Sequence, residues 1–315
     1  MYCPRLDHNV RLNYNGTVSL CGHMTRPPSF ESYDAMIRSD WLASVRETLN
    51  KDQWPSECKR CEQTESLTGT SLRTYSLDFA KQQTREDFLV VAGVLDNVCN
   101  SACLTCNEQL STKIGSLKSR TYLIVNNVQQ FWNLPIDRVV HLDINGGEPS
   151  ASKNYQYLLE NLPPNVTSVR TNTNCSRVIA EVKSMLDCGI KVTVTVSLDG
   201  LEAVHDIVRW PIKWTKFYAN LLEYQQMEGI DLNTWTTVSA LNIGDFDNIL
   251  NFVKTHNLNH SYALLSQPSV LDISYSNSYT VPYKDLFPGR VAVGPDNQSD
   301  LDRFLLDQYN LRNIS

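Results

Sequence analysis

From Phe88 onward the chain alternates short β-branched apolar runs with helical patterns, and that alternation restricts the fold more than any other feature. Runs at Phe88 to Leu95, Arg138 to Ile144, Ser168 to Thr171, Lys191 to Ser197, Thr234 to Ala240 and Tyr262 to Ser266 read as strands. Helical periodicity covers about Tyr122 to Trp132, Tyr155 to Leu162, Arg177 to Leu186, Lys216 to Met227 and Phe246 to Thr255, with Gly189 stopping the third of these. Strands joined through helices return parallel by right-handed crossovers, which predicts an α/β fold with a parallel sheet, either doubly wound or curled toward a barrel. The first 85 residues lack this rhythm. They are turn-rich, carry Cys3, Cys21, Cys58 and Cys61 with a helix around Trp41 to Leu49, and read as a small metal-stapled module. A helical segment at Leu301 to Leu311 closes the sequence.

In parallel α/β sheets the chemistry lies at the carboxyl ends of the strands, and the polar motifs fall there. The first strand runs into Cys99, Cys103 and Cys106 (C-x3-C-x2-C), and the second into Asn145-Gly146-Gly147-Glu148-Pro149. The third ends in Thr171-Asn172-Thr173-Asn174, and the fourth in Ser197-Leu198-Asp199-Gly200, followed by His205-Asp206 and Arg209. Three thiolates in one loop hold three irons of a cubane [4Fe-4S] cluster and leave the fourth iron free for a small molecule. A structural zinc ion wants a fourth ligand, and none follows nearby, the next histidine being His141. Three unrelated core thiols are the plainer alternative. Gly146 and Gly147 let a ligand approach the backbone closely, and Glu148 is an acceptor-only carboxylate suited to an ammonium group. By themselves these residues would pass for an ordinary turn, and Arg209, a group able to clamp a carboxylate, for a solvated charge. Asp143, Asp199, Asp206 and Tyr262 read as structural residues rather than acids, bases or radical relays.

Bulk properties bound the function classes. A net charge of -6 over 315 residues, with no Lys/Arg cluster, argues against a polyanion binder, so nucleic acid is not expected as a partner. No stretch reaches the length needed to cross a bilayer, and the first residues lack the apolar run of a secretory leader, so a cytoplasmic location is expected. Nine cysteines, an odd number, point to metal rather than disulfides in a reducing compartment. Cys175 and Cys188 match no motif and read as core or surface thiols.

With the Cys99/Cys103/Cys106 spacing, Gly146-Gly147-Glu148-Pro149 and the Ser197 to Arg209 segment in place, residues of about 86 to 270 resemble the radical S-adenosylmethionine superfamily. The resemblance implies a partial (β/α)6 TIM-like barrel whose open iron chelates the methionine end of S-adenosylmethionine. It further implies that Gly146, Gly147 and Glu148 contact the methionyl amino group, Ser197 the ribose and Arg209 the carboxylate. Many members carry an aromatic residue before the third cysteine, where this chain has Thr105, so no residue is assigned to the adenine. The implied chemistry is reductive cleavage of S-adenosylmethionine to a 5'-deoxyadenosyl radical that abstracts hydrogen from a substrate, with an electron from a reductase such as flavodoxin or ferredoxin.

Residues 1 to 85 resemble an auxiliary-cluster module, SPASM in its long form and twitch in its short form. Cys3, Gly16 and Cys21 form C-x12-G-x4-C, and Cys58-Lys59-Arg60-Cys61 follows Trp54-Pro55. The module usually follows the barrel; its position here, with Glu62 or Glu65, Gly69, Ser71 and Arg73 after the C-x2-C, resembles a phage-associated and bacterial twitch-type group. The resemblance implies a second [4Fe-4S] cluster fully ligated by Cys3, Cys21, Cys58 and Cys61. A structural zinc site fits the same four thiolates. The predicted organisation is therefore a module over 1 to 85, a core over 86 to 270 and an extension with one helix over 271 to 315. A peptide or protein is the implied substrate, with a small metabolite or nucleotide-sugar as the alternative; a non-catalytic zinc-stapled binding protein is the reading from another class.

Overall fold

The computed structural model of the chain describes residues 1–119, 121–265, 267–273 and 298–312. The expected α/β class is observed: one mostly parallel eight-stranded sheet has the order β2-β1-β3-β4-β5-β6-β7-β8. Its strands are β1 (Asn9–Leu12), β2 (Val18–Ser19), β3 (Leu89–Val94), β4 (Val139–Asn145), β5 (Ser168–Thr173), β6 (Lys191–Ser197), β7 (Asp231–Val238) and β8 (Asn259–Leu264). From β3 to β8 the order in the sheet is the order in the chain, with helices in each connection. This is the strand-helix repeat of a partial barrel. No helix among the described residues is long and apolar enough to cross a membrane.

The chain divides into two compact units. The first comprises residues 1–97, 125–146 and 153–170. In it β1 pairs antiparallel with β2 and parallel with β3, β3 pairs parallel with β4, and β4 with β5. Val10, Leu12, Leu89, Val91, Leu142 and Ile144 fill its core. The close approach of β1 depends on Gly93, at φ +108, where a Cβ would lie 2.1 Å from the Leu12 carbonyl oxygen. The N-terminal segment is richer in regular structure than expected. It contains α1 (Arg5–His8), α2 (Tyr33–Ile37), α3 (Asp40–Asn50), α4 (Lys59–Thr68) and α5 (Leu72–Lys81), besides two strands of the sheet. Ser39 caps α3 by accepting from Leu42 N-H, and Ser71 opens α5 in a capping box with Thr74.

The helix expected from Tyr122 shortens to α7 (Val128–Trp132). Asn126 instead bridges to Asp96, and Val125 N-H donates to Asn97 Oδ1. Those bonds hold the preceding residues extended. In the same way the third predicted helix begins four residues late, as α9 (Glu181–Asp187).

The second unit comprises residues 98–124, 147–152 and 171–315. In it β6, β7 and β8 pair in parallel, with Val194, Val196, Phe217, Leu221 and Phe246 fully buried. Its helices include α6 (Thr112–Lys118), α9, α10 (Glu202–Val208), α11 (Trp214–Gln225) and α12 (Phe246–Thr255). α6 and α10 fall where loops are expected from sequence. α8 (Lys153–Glu160) completes the set of crossovers. The C-terminal helix spans Gln298–Arg312, and its Leu301 packs on Ala240 and Leu271. Of the 271–315 extension, residues 274–297 and 313–315 lie outside the described residues, as does Ser266 of the last predicted strand.

Candidate functional site

The loop from Cys99 to Cys106 is held at both ends and in its middle. Cys99 N-H donates to Thr112 Oγ1 (3.1 Å), and Ser111 Oγ donates to the Ser101 carbonyl (2.7 Å), so the start of α6 fixes the loop's entry. Ala102 and Leu104 N-H donate to the carbonyls of Trp210 (2.8 Å), just after α10, and Val208 (2.9 Å), its last residue. Arg312, buried at the end of the C-terminal helix, donates from Nε to the Ala102 carbonyl (2.9 Å). This pinning brings the three sulfurs together. Ser101 Oγ lies 3.4 Å from Cys99 Sγ and 3.6 Å from Cys103 Sγ. Burial, then Cys103 and Cys99, push Cys106 up to about 12, with Arg209 opposing. Burial and Cys103 likewise raise Cys99. Thiols held this far from ionising lose their protons to a metal that binds them.

Glu148 sits beside this loop. Its N-H donates to the Val98 carbonyl (2.7 Å), and its carboxylate is 1% exposed. Oε1 accepts from Ser150 N-H (3.2 Å), Ser150 Oγ (2.7 Å) and Thr173 Oγ1 (2.7 Å), and Oε2 from Asn174 N-H (2.6 Å). Burial raises its pKa while these donors pull the other way. Asn174 then reaches the cysteine loop, donating from Nδ2 to Asn100 Oδ1 (2.9 Å) and Ser101 Oγ (3.0 Å). The end of β5 thus ties the carboxylate to the thiol loop. Gly147, at φ +55, allows this; a Cβ there would stand 2.2 Å from the Val98 carbonyl oxygen. Gly146, at φ +97, belongs to the first unit, and a Cβ there would meet Val94 Cγ1 at 2.4 Å.

Arg209 lies among the thiols. Burial would lower its pKa, but Cys103, Asp199, Cys106 and Cys99 together carry it upward. Its Nη1 donates to Asp199 Oδ2 (2.9 Å), while its buried Nε has no partner among the described residues. Asp199, 1% exposed, also accepts from Thr237 N-H (2.8 Å), and its carbonyl accepts from Asn242 Nδ2 (3.0 Å). It is a positioning group for Arg209, in keeping with a structural reading of Asp199. Ser197, at the end of β6, is half-buried, and its hydroxyl makes no hydrogen bond among the described residues. Asp206 accepts from Trp214 N-H and pairs with Lys213 (3.0 Å), at the start of α11. Tyr262 stacks edge-on to Phe246. Cys175 is buried, and Cys188 is exposed at the end of α9.

Within the first unit, Cys3, Cys21, Cys58 and Cys61 line one cavity with His23, Trp54 and Arg73. Burial, with Cys21 and Cys61 adding, pushes Cys3 up to about 11. Burial, then Cys3, Cys21 and Cys61, push Cys58 up to about 12. The four sulfurs therefore feel one another. Glu65, rather than Glu62, holds Arg73 of that wall: its carboxylate takes both Nε (3.1 Å) and Nη2 of Arg73 and accepts from Ser71 Oγ (2.7 Å). Arg73 also donates to the Tyr2 carbonyl (2.9 Å) beside Cys3, and lies over the Trp54 ring. Among the described residues no three Cys, His, Asp or Glu side chains close around a single metal ion.

Several hydrogen-bonding partners inside these loops were not singled out by the sequence. Asn100, Ser101, Thr112 and Arg312 carry no motif. Thr173 and Asn174 were visible only as polar residues ending a strand.

No protein-family model matches the chain, and no curated protein matches it. Among solved structures, native anSMEcpe with bound AdoMet is 14% identical over 70% of this chain and 61% of that one, with a TM-score of 0.43. The chain thus spans about three-fifths of the length of anSMEcpe. Streptococcus suis SuiB bound to precursor peptide SuiA is 12% identical over 98% of this chain and 70% of that one, TM-score 0.43. SuiB bound to S-adenosylmethionine is 13% identical over 97% and 70%, TM-score 0.43.

Proposed function

We propose that the chain is a radical S-adenosylmethionine enzyme. The observation that carries the reading is the convergence, in one compact unit, of Cys99, Cys103 and Cys106 with Glu148 and Arg209. Cys99, Cys103 and Cys106 would hold a [4Fe-4S] cluster, and Cys3, Cys21, Cys58 and Cys61 an auxiliary one. When bound, the first cluster supplies one electron for cleavage of S-adenosylmethionine to a 5'-deoxyadenosyl radical, which abstracts hydrogen from the substrate.

The chain's own residues have definite tasks in this reading. Gly146 and Gly147 remove side chains so that the methionyl amino group can approach the backbone. Glu148 Oε2, which accepts a single hydrogen bond, has room for an ammonium donor. Arg209, oriented by Asp199, offers its unpartnered Nε to the carboxylate. Ser197 presents a free hydroxyl toward a ribose. Burial of the thiol loop keeps water from the reacting atoms. The substrate in this reading is a peptide or protein, as the auxiliary-module resemblance implies, and the electron comes from a flavodoxin or ferredoxin in a reducing, cytoplasmic setting. All nine cysteines being free thiols supports that setting.

Anaerobic reconstitution tests the proposal. A brown protein with about eight irons, releasing 5'-deoxyadenosine from S-adenosylmethionine under reductant, is expected. Replacing Cys99, Cys103 and Cys106 together by Ala should abolish the release and leave about four irons. A colourless protein holding stoichiometric zinc, with no cleavage, would refute it.

A further inference from the structure

A second cavity in the first unit, of about 230 Å³, shares Arg5 and Leu72 with the four-cysteine cavity but contains no cysteine. Its floor is one face of the sheet. Asn9, Val90 and His141 stand in one cross-strand row and Asp143 and Arg170 in the next row on that face. α1 and α5 form the opposite wall, through Arg5, His8, Tyr75 and Phe79.

The charges lining this space are out of balance. Arg5 donates from Nε to Ser76 Oγ (3.0 Å) and from Nη1 to Asn9 Oδ1 (3.0 Å), both neutral acceptors, so no carboxylate neutralises it. Arg170 has neither a hydrogen bond nor an ion pair among the described residues. Asp143 is the single carboxylate; it accepts from Asn145 Nδ2 (3.3 Å) and has no cation within ion-pair distance among the described residues. The imidazoles add no charge of opposite sign. His141 is held by Ser168 Oγ (2.7 Å) and kept neutral near pH 7: burial lowers it to about 4, Arg170 and Arg5 add to the fall, and Asp143 opposes it. His8 lies flat on Phe88 at 4.0 Å, and Phe79 stands edge-on to both Phe88 and His141. Two guanidiniums thus face one carboxylate across an aromatic-walled space.

We propose that this cavity binds a small ligand bearing an oxyanion, carboxylate or phosphate, with Arg170 and Arg5 taking the anion and the Phe79/Phe88 wall taking any apolar part. A planar guanidinium suits both anions, because its paired N-H groups match two oxygens. Arg170, exposed at the mouth of the cavity, leads because its guanidinium has no partner among the described residues, while Arg5 retains Nη2. Asp143 works against the anion, so its neutralisation strengthens binding. Arg5 also borders the four-cysteine cavity, whereas Arg170 does not, so the Arg170 arm of the test reads the site whether or not a cluster is held there.

The test is calorimetric titration of the full chain, at fixed ionic strength held with chloride, with benzoate and inorganic phosphate as separate probes. Saturable one-site binding of either is expected. Arg170→Gln, which removes a side chain with no internal partner, should weaken it about tenfold or more, and Asp143→Asn should tighten it. Binding of benzoate alone assigns a carboxylate ligand, and binding of phosphate alone a phosphate. His141 ring resonances should shift on saturation. The proposal is overturned if neither probe saturates, or if both variants bind as the parent chain does.

Discussion

Lowering the pH from 8 to 5 should weaken the packing of α10 on α11 through one residue, His205. Its ring is 0% exposed, with the ring centroids of Phe217 and Trp214 at 4.4 and 5.5 Å. Neither ring nitrogen has a partner among the described residues. Burial, with Arg209 adding and Asp206 opposing, pushes its pKa down to about 3, against about 6.5 in an unfolded chain. Because the folded value is the lower one, the folded state binds fewer protons between these limits. The stabilisation from the neutral ring is complete above about pH 6.5 and is lost as the pH falls toward 3. At pH 5 the loss is about 2 kcal/mol, one and a half pH units at about 1.36 kcal/mol each. His205→Phe keeps an aromatic ring in the same place and has no proton to gain. The assay is urea unfolding followed by tryptophan fluorescence, at pH 8 and pH 5, for both proteins. Contributions from other titrating groups, including His141, cancel in the comparison. The parent chain should lose about 2 kcal/mol more than the variant between the two pH values. Equal losses would mean that the ring is charged, or partnered, in the folded state, and the reasoning would fail.

Gly147→Ala should cost about 3 kcal/mol, from left-handed strain and the displaced Val98 carbonyl that accepts from Glu148 N-H; urea unfolding of parent and variant measures it. Glu148→Gln places an amide against the donors Ser150, Thr173 and Asn174, so the S-adenosylmethionine Kd should rise at least about tenfold, read by equilibrium dialysis. Arg73→Lys breaks the forked pairing with Glu65 and should speed iron loss to a chelator from the N-terminal cysteines while sparing the Cys99 loop. Equal rates from both sites would contradict that placement.

β6 was legible because it alternates β-branched residues without a break; Lys191–Ser197 and helix Phe246–Thr255 match their predicted limits. β1 was not. Asn9–Leu12 is four residues long with Asn and Arg in it, and only its register with β3, across Gly93, makes it a strand. α6 and α10, at seven residues each, carry too few turns for a periodic signal. The Tyr122 to Val125 run has helical apolar spacing, but side-chain bonds from Asn97 and the bridge at Asn126 outweigh that propensity. Tertiary partners decided each of these cases.

The same distinction sharpens the candidate site. Sequence identifies residue types suited to a zwitterionic ligand, but a polar group can bind only what its own neighbours leave free. Glu148 Oε1 is fully occupied by Ser150 and Thr173, and one N-H of Arg209 Nη1 by Asp199. What remains is narrower than the motif: Oε2 of Glu148, the guanidinium edge of Arg209 that includes its buried Nε, and the hydroxyl of Ser197. One acceptor, one guanidinium and one hydroxyl, on an internally bonded frame, are what the proposed function assigns to an amine, a carboxylate and a ribose. The fixed partners matter as much as the free atoms. Asp199 and Asn174 hold Arg209, Glu148 and the cysteine loop in place before any ligand arrives, so less ordering remains to oppose binding.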